Sequence, residues 1–356
     1  MLNLAFYQDK KVLLTGHTGF KGTWLCALLA QAGAQVTGYA LEPPTNPSIF
    51  NLTNMGERIQ SIIGDIRDLS LLKKVFEEVQ PEIVIHMAAQ PIVRESYKDP
   101  VYTYETNVMG TVHVLECVRT CESVKSFLNV TTDKVYLNRE WPWGYRENEE
   151  LNGYDPYSNS KSCSELVTGC YKNSFFGEGS SRNVAISTAR AGNVIGGGDF
   201  AVDRIIPDCV RAVLSGQEII VRNPYSTRTY QHVLEPLAVY LMIAQMQYED
   251  AGYAGNYNVG PDDADCYTTG ELVTLFCDKW NHFSGGGIEW KNVSDGGPHE
   301  ANFLKLDCSQ LKSVFNWKPV WNVEQAMEKI VEWTLAYRQK EDVYQVIRRQ
   351  IEEFMA

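Results

Sequence analysis

The chain contains no long apolar run, no block of consecutive basic residues and no Cys-x-x-Cys pair, and each absence removes a class of function. A bilayer-crossing helix needs about 20 consecutive apolar residues, so no membrane association is expected. The pattern of a secretory signal is also absent, and the expected location is the reducing cytoplasm. Acidic residues outnumber basic ones, 44 to 32, for a formal net charge of −12. With no basic run to track a phosphate backbone, nucleic acid is not expected as a partner, and an anionic substrate would need a local basic pocket. The nine cysteines are odd in number and form no Cys/His cluster at zinc spacing, which argues against a metal site. Cys117 and Cys121 share a helix face and read as packed thiols. Of the six histidines, His86 closes an apolar run and His113 lies in a helical stretch; packed or supporting roles suit both better than metal ligation. Internal repeats and low-complexity segments are absent as well.

What is present is enough apolar content, 44% over 356 residues, for one large domain or two modest ones. Lys11 to Thr15 reads as a buried strand running into Gly16-His17-Thr18-Gly19-Phe20-Lys21-Gly22, and a helix is predicted from Thr23 to Ala32. Glycines there let the backbone approach a pyrophosphate, and the helix N-terminus offers NH groups and a positive dipole, so the unit reads as dinucleotide-binding. His17 is large for such a turn and is expected to crowd the cofactor. The next strand ends Tyr39-Ala40-Leu41-Glu42, where an acid would hold the adenosine ribose and select NAD; it is absent or displaced to Glu42, which leaves NAD against NADP open.

Strand and helix then alternate. Ser61 to Gly64 leads to Asp65-Ile66, a helix covers Leu69 to Gln80, and a strand over Glu82 to His86 is followed by Ala88-Ala89, small residues that suit either a ligand or close packing. One helix is predicted from Pro100 to Cys121 with Asn107 in its middle, where a poor helix former needs compensation. A strand ending at Thr132 and one near Val184 to Arg190 follow, and the alternation predicts a doubly wound sheet with its site at the carboxyl edge. Gly192 to Asp199 is expected to be flexible. Arg204, Arg211, Arg222 and Arg228 beyond it suit phosphate capture or plain surface charge. Asn256 to Gly260 reads as a strand returning to the main sheet, Ser284 to Gly287 as a loop, and Trp333 and Tyr337 as a packing face of a late helix.

The chemistry concentrates between Thr131 and Lys161. Asp155-Pro156 is a strong helix start, so Tyr157 and Lys161, four residues apart, share a helix face. An ammonium near a phenol favours the phenolate, the property wanted for taking a proton from an alcohol.

Gly16-x-x-Gly19-x-x-Gly22, Asp65-Ile66, His86-x-Ala88-Ala89, Asn107, Thr132 and Tyr157-x-x-x-Lys161 come in one order over nearly the whole chain, and this set resembles the extended short-chain dehydrogenase/reductase family. Thr132 followed by Asp133 and Lys134 looks like the nucleotide-sugar 4,6-dehydratases within it. The glycine turn, Thr132 to Tyr136 and Trp143 to Glu147 are similar to the branch acting on CDP-D-glucose; dehydratases of dTDP-glucose and GDP-mannose usually carry Glu where Lys134 stands.

The resemblance implies a Rossmann-type doubly wound parallel sheet in residues 1–190, joined by the strand near 255–260, with residues 191–356 mainly a sugar-nucleotide lobe. It implies NAD as cofactor, held by Gly16, Thr18, Gly19, Phe20, Gly22, Asp65, Ile66, Ala88, Ala89, Asn107, Tyr157 and Lys161. It implies CDP-D-glucose as substrate, held by Gln90, Arg94, Asn193, Arg204, Arg228 and His299, with no metal. Tyr157 with Lys161 would take the proton from the C4 hydroxyl held by Thr132, Asp133 would protonate the C6 hydroxyl, and Lys134 would stand where a base removes the C5 hydrogen. The product would be CDP-4-keto-6-deoxy-D-glucose, on the way to 3,6-dideoxyhexoses of bacterial surface polysaccharide. The helices beginning near Pro100 and Tyr157 would pair two subunits. A 4-epimerase uses the same Tyr, Lys and NAD but needs no acid and base at C6 and C5; a non-catalytic NAD-binding regulator needs no proton acceptor.

Overall fold

Val12 to Thr15 are buried on both faces of a strand, as a central parallel strand requires, and the other inner strands repeat that pattern. The structure is a computed structural model and describes residues 2–177, 180, 182–262, 265–293 and 303–356. Strands are Lys11–Thr15 (β1), Gln35–Ala40 (β2), Gln60–Ile63 (β3), Ile83–His86 (β4), Ser126–Thr132 (β5), Ala185–Ala191 (β6), Asn193–Ile195 (β7), Ile219–Val221 (β8), Thr227–His232 (β9), Asn256–Val259 (β10), Cys266–Thr268 (β11), Trp290–Asn292 (β12) and Phe303–Leu304 (β13). Helices are Phe20–Gln31 (α1), Ile49–Leu52 (α2), Leu69–Val79 (α3), Val93–Lys98 (α4), Pro100–Tyr104 (α5), Gly110–Thr120 (α6), Pro156–Phe175 (α7), Ile205–Ser215 (α8), Leu234–Glu249 (α9), Thr269–Ser284 (α10), Ser309–Phe315 (α11), Val323–Arg338 (α12) and Val343–Met355 (α13).

Seven strands form one parallel sheet in the order β10-β6-β5-β4-β1-β2-β3. The strand order reverses between β1 and β4, which opens a crevice at their carboxyl ends. Side chains alternate across the sheet: Val12, Leu14, Ile83 and Ile85 join α1 and the almost wholly buried α9 on one face, while Leu13, Val84 and Phe127 join α3 and α6 on the other. The expected doubly wound sheet is therefore present, with Asn256–Val259 as its returning strand. A second sheet, β11-β9-β13 with β7 on β9, and the pair β8–β12 pack with α8, α10 and α12 around their own apolar cluster.

Three local expectations need correction. The first helix starts at Phe20, three residues before Thr23, so the glycine turn hands over to helix inside the motif. The single helix predicted from Pro100 to Cys121 is interrupted by a π-helical turn, Glu105–Met109, centred on Asn107. And Gly192 to Asp199 is not a flexible stretch: it contains β7, and a Cβ on Gly197 would lie 2.2 Å from Trp333 Cγ. Trp333 is fully buried and stacked on Tyr337, as their helical spacing predicts.

Candidate active site

At the crevice, Gly16 has φ +81°, and a Cβ there would meet the backbone of Ala88 at 2.8 Å. A Cβ on Gly22 would lie 2.2 Å from the Gly16 carbonyl oxygen, so only glycine lets the start of α1 fold back against the turn. Gly19 caps α1 with no side-chain hydrogen bond, which leaves first-turn amides pointing into the crevice. This bare, glycine-lined helix start fits a dinucleotide pyrophosphate. Thr18 braces the turn by donating to the Leu41 carbonyl at 2.9 Å. Phe20 opens α1 and its ring lies under Gly196.

His17 does not crowd this cradle. Its ring is fully buried against Gly38 and hydrogen-bonded to Ser61 Oγ at 2.7 Å, and burial lowers its pKa to about 4. Asp65 holds Arg67 through both carboxylate oxygens, 2.8 Å at the closest. Ile66 is buried against Gly110, and its carbonyl meets His113 at 3.1 Å. Glu42 is exposed at the end of β2. Ala88 donates its NH to Thr15 Oγ1, and Ala89 follows half-buried.

Asn107 carries the compensation its helix position demands. Its amide accepts from Gln90 N at 2.8 Å and donates to Gln90 O and to Ser160 Oγ, tying the π-helical turn to the loop after β4 and to α7. His86 is held between Thr15 Oγ1 at 2.7 Å and Thr111 Oγ1 at 3.2 Å, the packed role its sequence context suggested.

The reactive cluster lies where β5 meets α7. Asp155 caps α7 through Ser158 N at 3.0 Å with Pro156 at the first helical position, as predicted. Lys161 is buried and donates to the Val130 carbonyl at 3.0 Å; burial lowers its ammonium to about 8, opposed by the charge of Glu165. Tyr157 is half-buried, and burial pushes its phenol to about 12, opposed by a hydrogen bond with Thr132 and the charge of Arg204. The Thr132 hydroxyl donates its one proton to Asp133 Oδ1 at 2.9 Å. Burial raises the Asp133 carboxyl against the pull of Lys134, Thr132 and Arg228, which favours the protonated acid. Lys134 lies half-buried in the turn after Thr132.

The remaining expected contacts divide. Arg204 stands at the start of α8, 3.3 Å from Asp199, and Arg228 on β9 donates to the Thr227 carbonyl at 2.8 Å; both bear electrostatically on the cluster. Asn193 opens β7 and reaches the Thr229 carbonyl at 3.4 Å. Arg94 lies 4.0 Å from Asp203, which also holds Arg222 at 3.1 Å. Gln90 is buried with its amide engaged by Thr103 Oγ1 and Ile92 N. Arg211 ties Asp208 to the carbonyls of Phe200 and Ala201, inside the substructure. His299 lies outside the described residues.

One cation went unread. Gly-x-x-Gly-x-x-Gly treats Lys21 as a variable position, yet its half-buried ammonium faces Arg204, Lys161, Asp133 and Asp199, and burial with the two cations lowers it to about 8. Its signal was a charged residue inside a turn that otherwise accepts apolar ones.

A Rossmann-type sheet with Thr132, Tyr157 and Lys161 at its carboxyl edge defines an extended short-chain dehydrogenase/reductase. More narrowly, the profile of the family described as GDP-mannose 4,6 dehydratase matches residues 13–330, and the chain belongs to that family. It is 47% identical over 359 residues to a CDP-glucose 4,6-dehydratase of Salmonella typhimurium, covering 100% of this chain and 99% of that protein. Identity to a dTDP-glucose 4,6-dehydratase of Haemophilus influenzae is 24% over 347 residues, 91% of this chain and 97% of that one. Among solved structures, a dTDP-glucose 4,6-dehydratase from Bacillus anthracis in complex with NAD shares the fold with a TM-score of 0.74 at 20% identity, over 94% of this chain and 100% of that one. A UDP-glucuronic acid 4-epimerase from Bacillus cereus, with UDP-glucuronic acid and NAD, does so with 0.75 at 20%, over 92% and 99%.

Proposed function

We propose that the protein is a CDP-D-glucose 4,6-dehydratase that uses NAD catalytically. The observation that carries this is a buried acid, Asp133, hydrogen-bonded to the same threonine that meets Tyr157. An epimerase needs the phenol and lysine but no acid beside them. The choice of CDP-D-glucose rests on the full-length Salmonella relative.

In this reading Thr132 holds the C4 hydroxyl toward Tyr157, whose phenolate takes the proton while Lys161 balances its charge. NAD, held at the glycine turn, would supply the hydride acceptor for C4 and, once reduced, the hydride donor for C6. Lys134, as the free amine, takes the C5 proton, made acidic by the C4 ketone, and Asp133 gives its proton to the departing C6 hydroxyl, so water leaves. Lys134 returns its proton to C5 as the hydride reaches C6, and the proton gained by Tyr157 replaces the one lost by Asp133. The glycine turn, Asp65, Ala88, Ala89 and Asn107 form the cofactor side; Arg204 and Arg228, with Lys21, supply positive charge for the diphosphate. Residues 1–190 with the β10 strand serve the cofactor and 191–356 mainly the sugar nucleotide.

A homodimer joined through the α5–α6 and α7 faces is part of the proposal: Val101, 66% exposed, and Leu166, 60% exposed, leave apolar surface on both helices. Leu166→Glu should then halve the mass seen by light scattering, and an unchanged mass would remove this pairing. No helix among the described residues is long and apolar enough to cross a membrane, and the nine free cysteines support a reducing cytoplasm.

The deciding experiment incubates the protein with CDP-glucose and catalytic NAD+, beside UDP-, dTDP- and GDP-sugars, and reads the alkali-induced absorbance of a 4-keto-6-deoxy sugar. Product from CDP-glucose without net reduced cofactor is expected. Product only from another nucleotide would overturn the substrate; a C4 epimer with no 4-keto sugar would overturn the reaction.

A further inference from the structure

Tyr157, Lys161 and Glu165 are spaced four residues apart on one face of α7, and the third member of the row is buried as deeply as the second. Glu165 Oε1 accepts from Thr131 Oγ1 at 2.5 Å, and Oε2 accepts from Thr188 Oγ1 and from Arg190 Nη2, both at 2.8 Å. Each side chain of the Glu165–Arg190 pair is 1% exposed. Arg190 Nη1 goes on to the Tyr136 hydroxyl at 2.8 Å and the Glu147 carbonyl at 2.9 Å. One carboxylate thus joins the catalytic helix to β5 and β6, the strands whose ends frame the reactive cluster.

We propose that Glu165, locked by Arg190 one turn beyond Lys161, is a positioning residue that keeps Lys161 charged on the helix face it shares with Tyr157. Stability alone does not account for such a pair, because a buried ion pair contributes little over apolar groups of the same shape. The charges around the lysine point to the function instead. Facing Lys161 are Glu165 on α7, His86 on β4 and Lys21 on α1; of these, Glu165 is the group that supports the ammonium against burial. Facing Tyr157 are Thr132 and Asp133 after β5, Arg204 at α8, Asp155 at the α7 cap and Tyr240 on α9. Facing Glu165 is Arg190 on β6, with Tyr136 beyond it. Burial brings Lys161 to about 8 even with Glu165 opposing it, so losing the Glu165 charge lowers the ammonium further and favours the neutral amine. Tyr157, one turn earlier on the same face, then has an uncharged amine as its neighbour along the helix, and a lost positive charge raises a phenol. Arg190 holds the carboxylate at this station without reaching the lysine itself.

This inference rests on the dehydratase reading, and its test has one arm that does not. Glu165→Gln should shift the acid limb of the kcat/KM pH profile upward and lower the rate at neutral pH by about 5- to 10-fold, a factor of ten corresponding to one pH unit. Because Glu165→Gln leaves Arg190 buried without a counter-charge, the pair Glu165→Gln with Arg190→Met removes both charges together and should show the same shift at near-parental thermal stability. Glu165→Asp keeps the charge one methylene further off and should shift the limb less. Independently of substrate, the ultraviolet tyrosinate titration, taken as the difference from Tyr157→Phe, should move in the same direction. A parental pH limb and tyrosinate titration in the folded double variant, or in Glu165→Asp and Glu165→Gln alike, would make the pair purely structural. A parent inactive on CDP-glucose would instead overturn the reaction, with the tyrosinate titration still deciding the role of Glu165.

Discussion

At the scale of single residues, the elimination half of the reaction hangs on Asp133 and Lys134. Burial raises the Asp133 carboxyl, so the acid is in its working form below its folded pKa and the rate falls as pH rises through it. Asp133→Asn should lower turnover by about 10²- to 10⁴-fold and abolish that basic limb, while oxidation at C4 continues and reduced nicotinamide accumulates. Lys134→Met should give the same accumulation, read by absorbance in a single-turnover mix; parental turnover in that variant would move the base elsewhere. Tyr157, Lys161 and the Asp155 cap were legible because helix periodicity and capping are local. What was not legible is where a side chain turns when its partner lies on a neighbouring strand. His17 swings away from the cofactor cradle because Gly38, on β2, leaves room for its ring, and Gln90 turns inward because Thr103 and Asn107 complete its hydrogen bonds. Neither partner is adjacent in sequence.

At the scale of elements, strand and helix order could be read from apolar runs and turn residues, and the misreadings fall where tertiary packing outweighs local preference. Asn107 marks its helix as unusual; the π-helical turn that results also depends on Ser160 and Gln90 drawing its amide to two other elements. The glycine run after β7 suggested freedom because glycine has the widest backbone range. In the fold, that range is used for close approach: the Gly197 carbonyl accepts from Trp24 Nε1 at 3.0 Å, and Gly198, at φ +83°, would place a Cβ 2.4 Å from Ile49. Trp24, Ile49 and Trp333 come from α1, α2 and α12, so no window of sequence contains the reason. Gly197→Ala should therefore destabilise the protein by about 1–3 kcal/mol, the cost of inserting a methyl into a packed site. A urea midpoint equal to the parent's would show that the segment yields as a loop does.

At the scale of the whole molecule, buried ionisable groups with no part in the proposed proton transfers set how stability responds to acid. Burial lowers His17 to about 4 and His86 and His232 to about 3, from an ordinary 6.5. Between those values the unfolded chain binds protons the folded chain refuses, so these three contribute stability that is lost as pH falls. Glu235 has the opposite sign. It accepts from Val320 N at 2.9 Å and Trp321 N at 2.6 Å at the start of α9, and burial raises its carboxyl from 4.5 to about 7. From its ordinary value up to the raised one, the folded chain keeps a proton the unfolded chain has released, so this contribution is full at low pH and is lost as pH rises. Glu235 thus offsets part of the histidine effect between about pH 5 and 6. Glu235→Gln keeps an oxygen for the two backbone donors and removes the titration, so stability should rise more steeply with pH over this window. The added slope is about 1.4 kcal/mol per pH unit, the value for one proton. Urea unfolding of parent and variant at about pH 5, 6 and 7 measures it. Parallel profiles would mean that the carboxyl is ionised in the folded protein, and that the loop carrying Val320 and Trp321 binds a buried carboxylate where a neutral acid is expected.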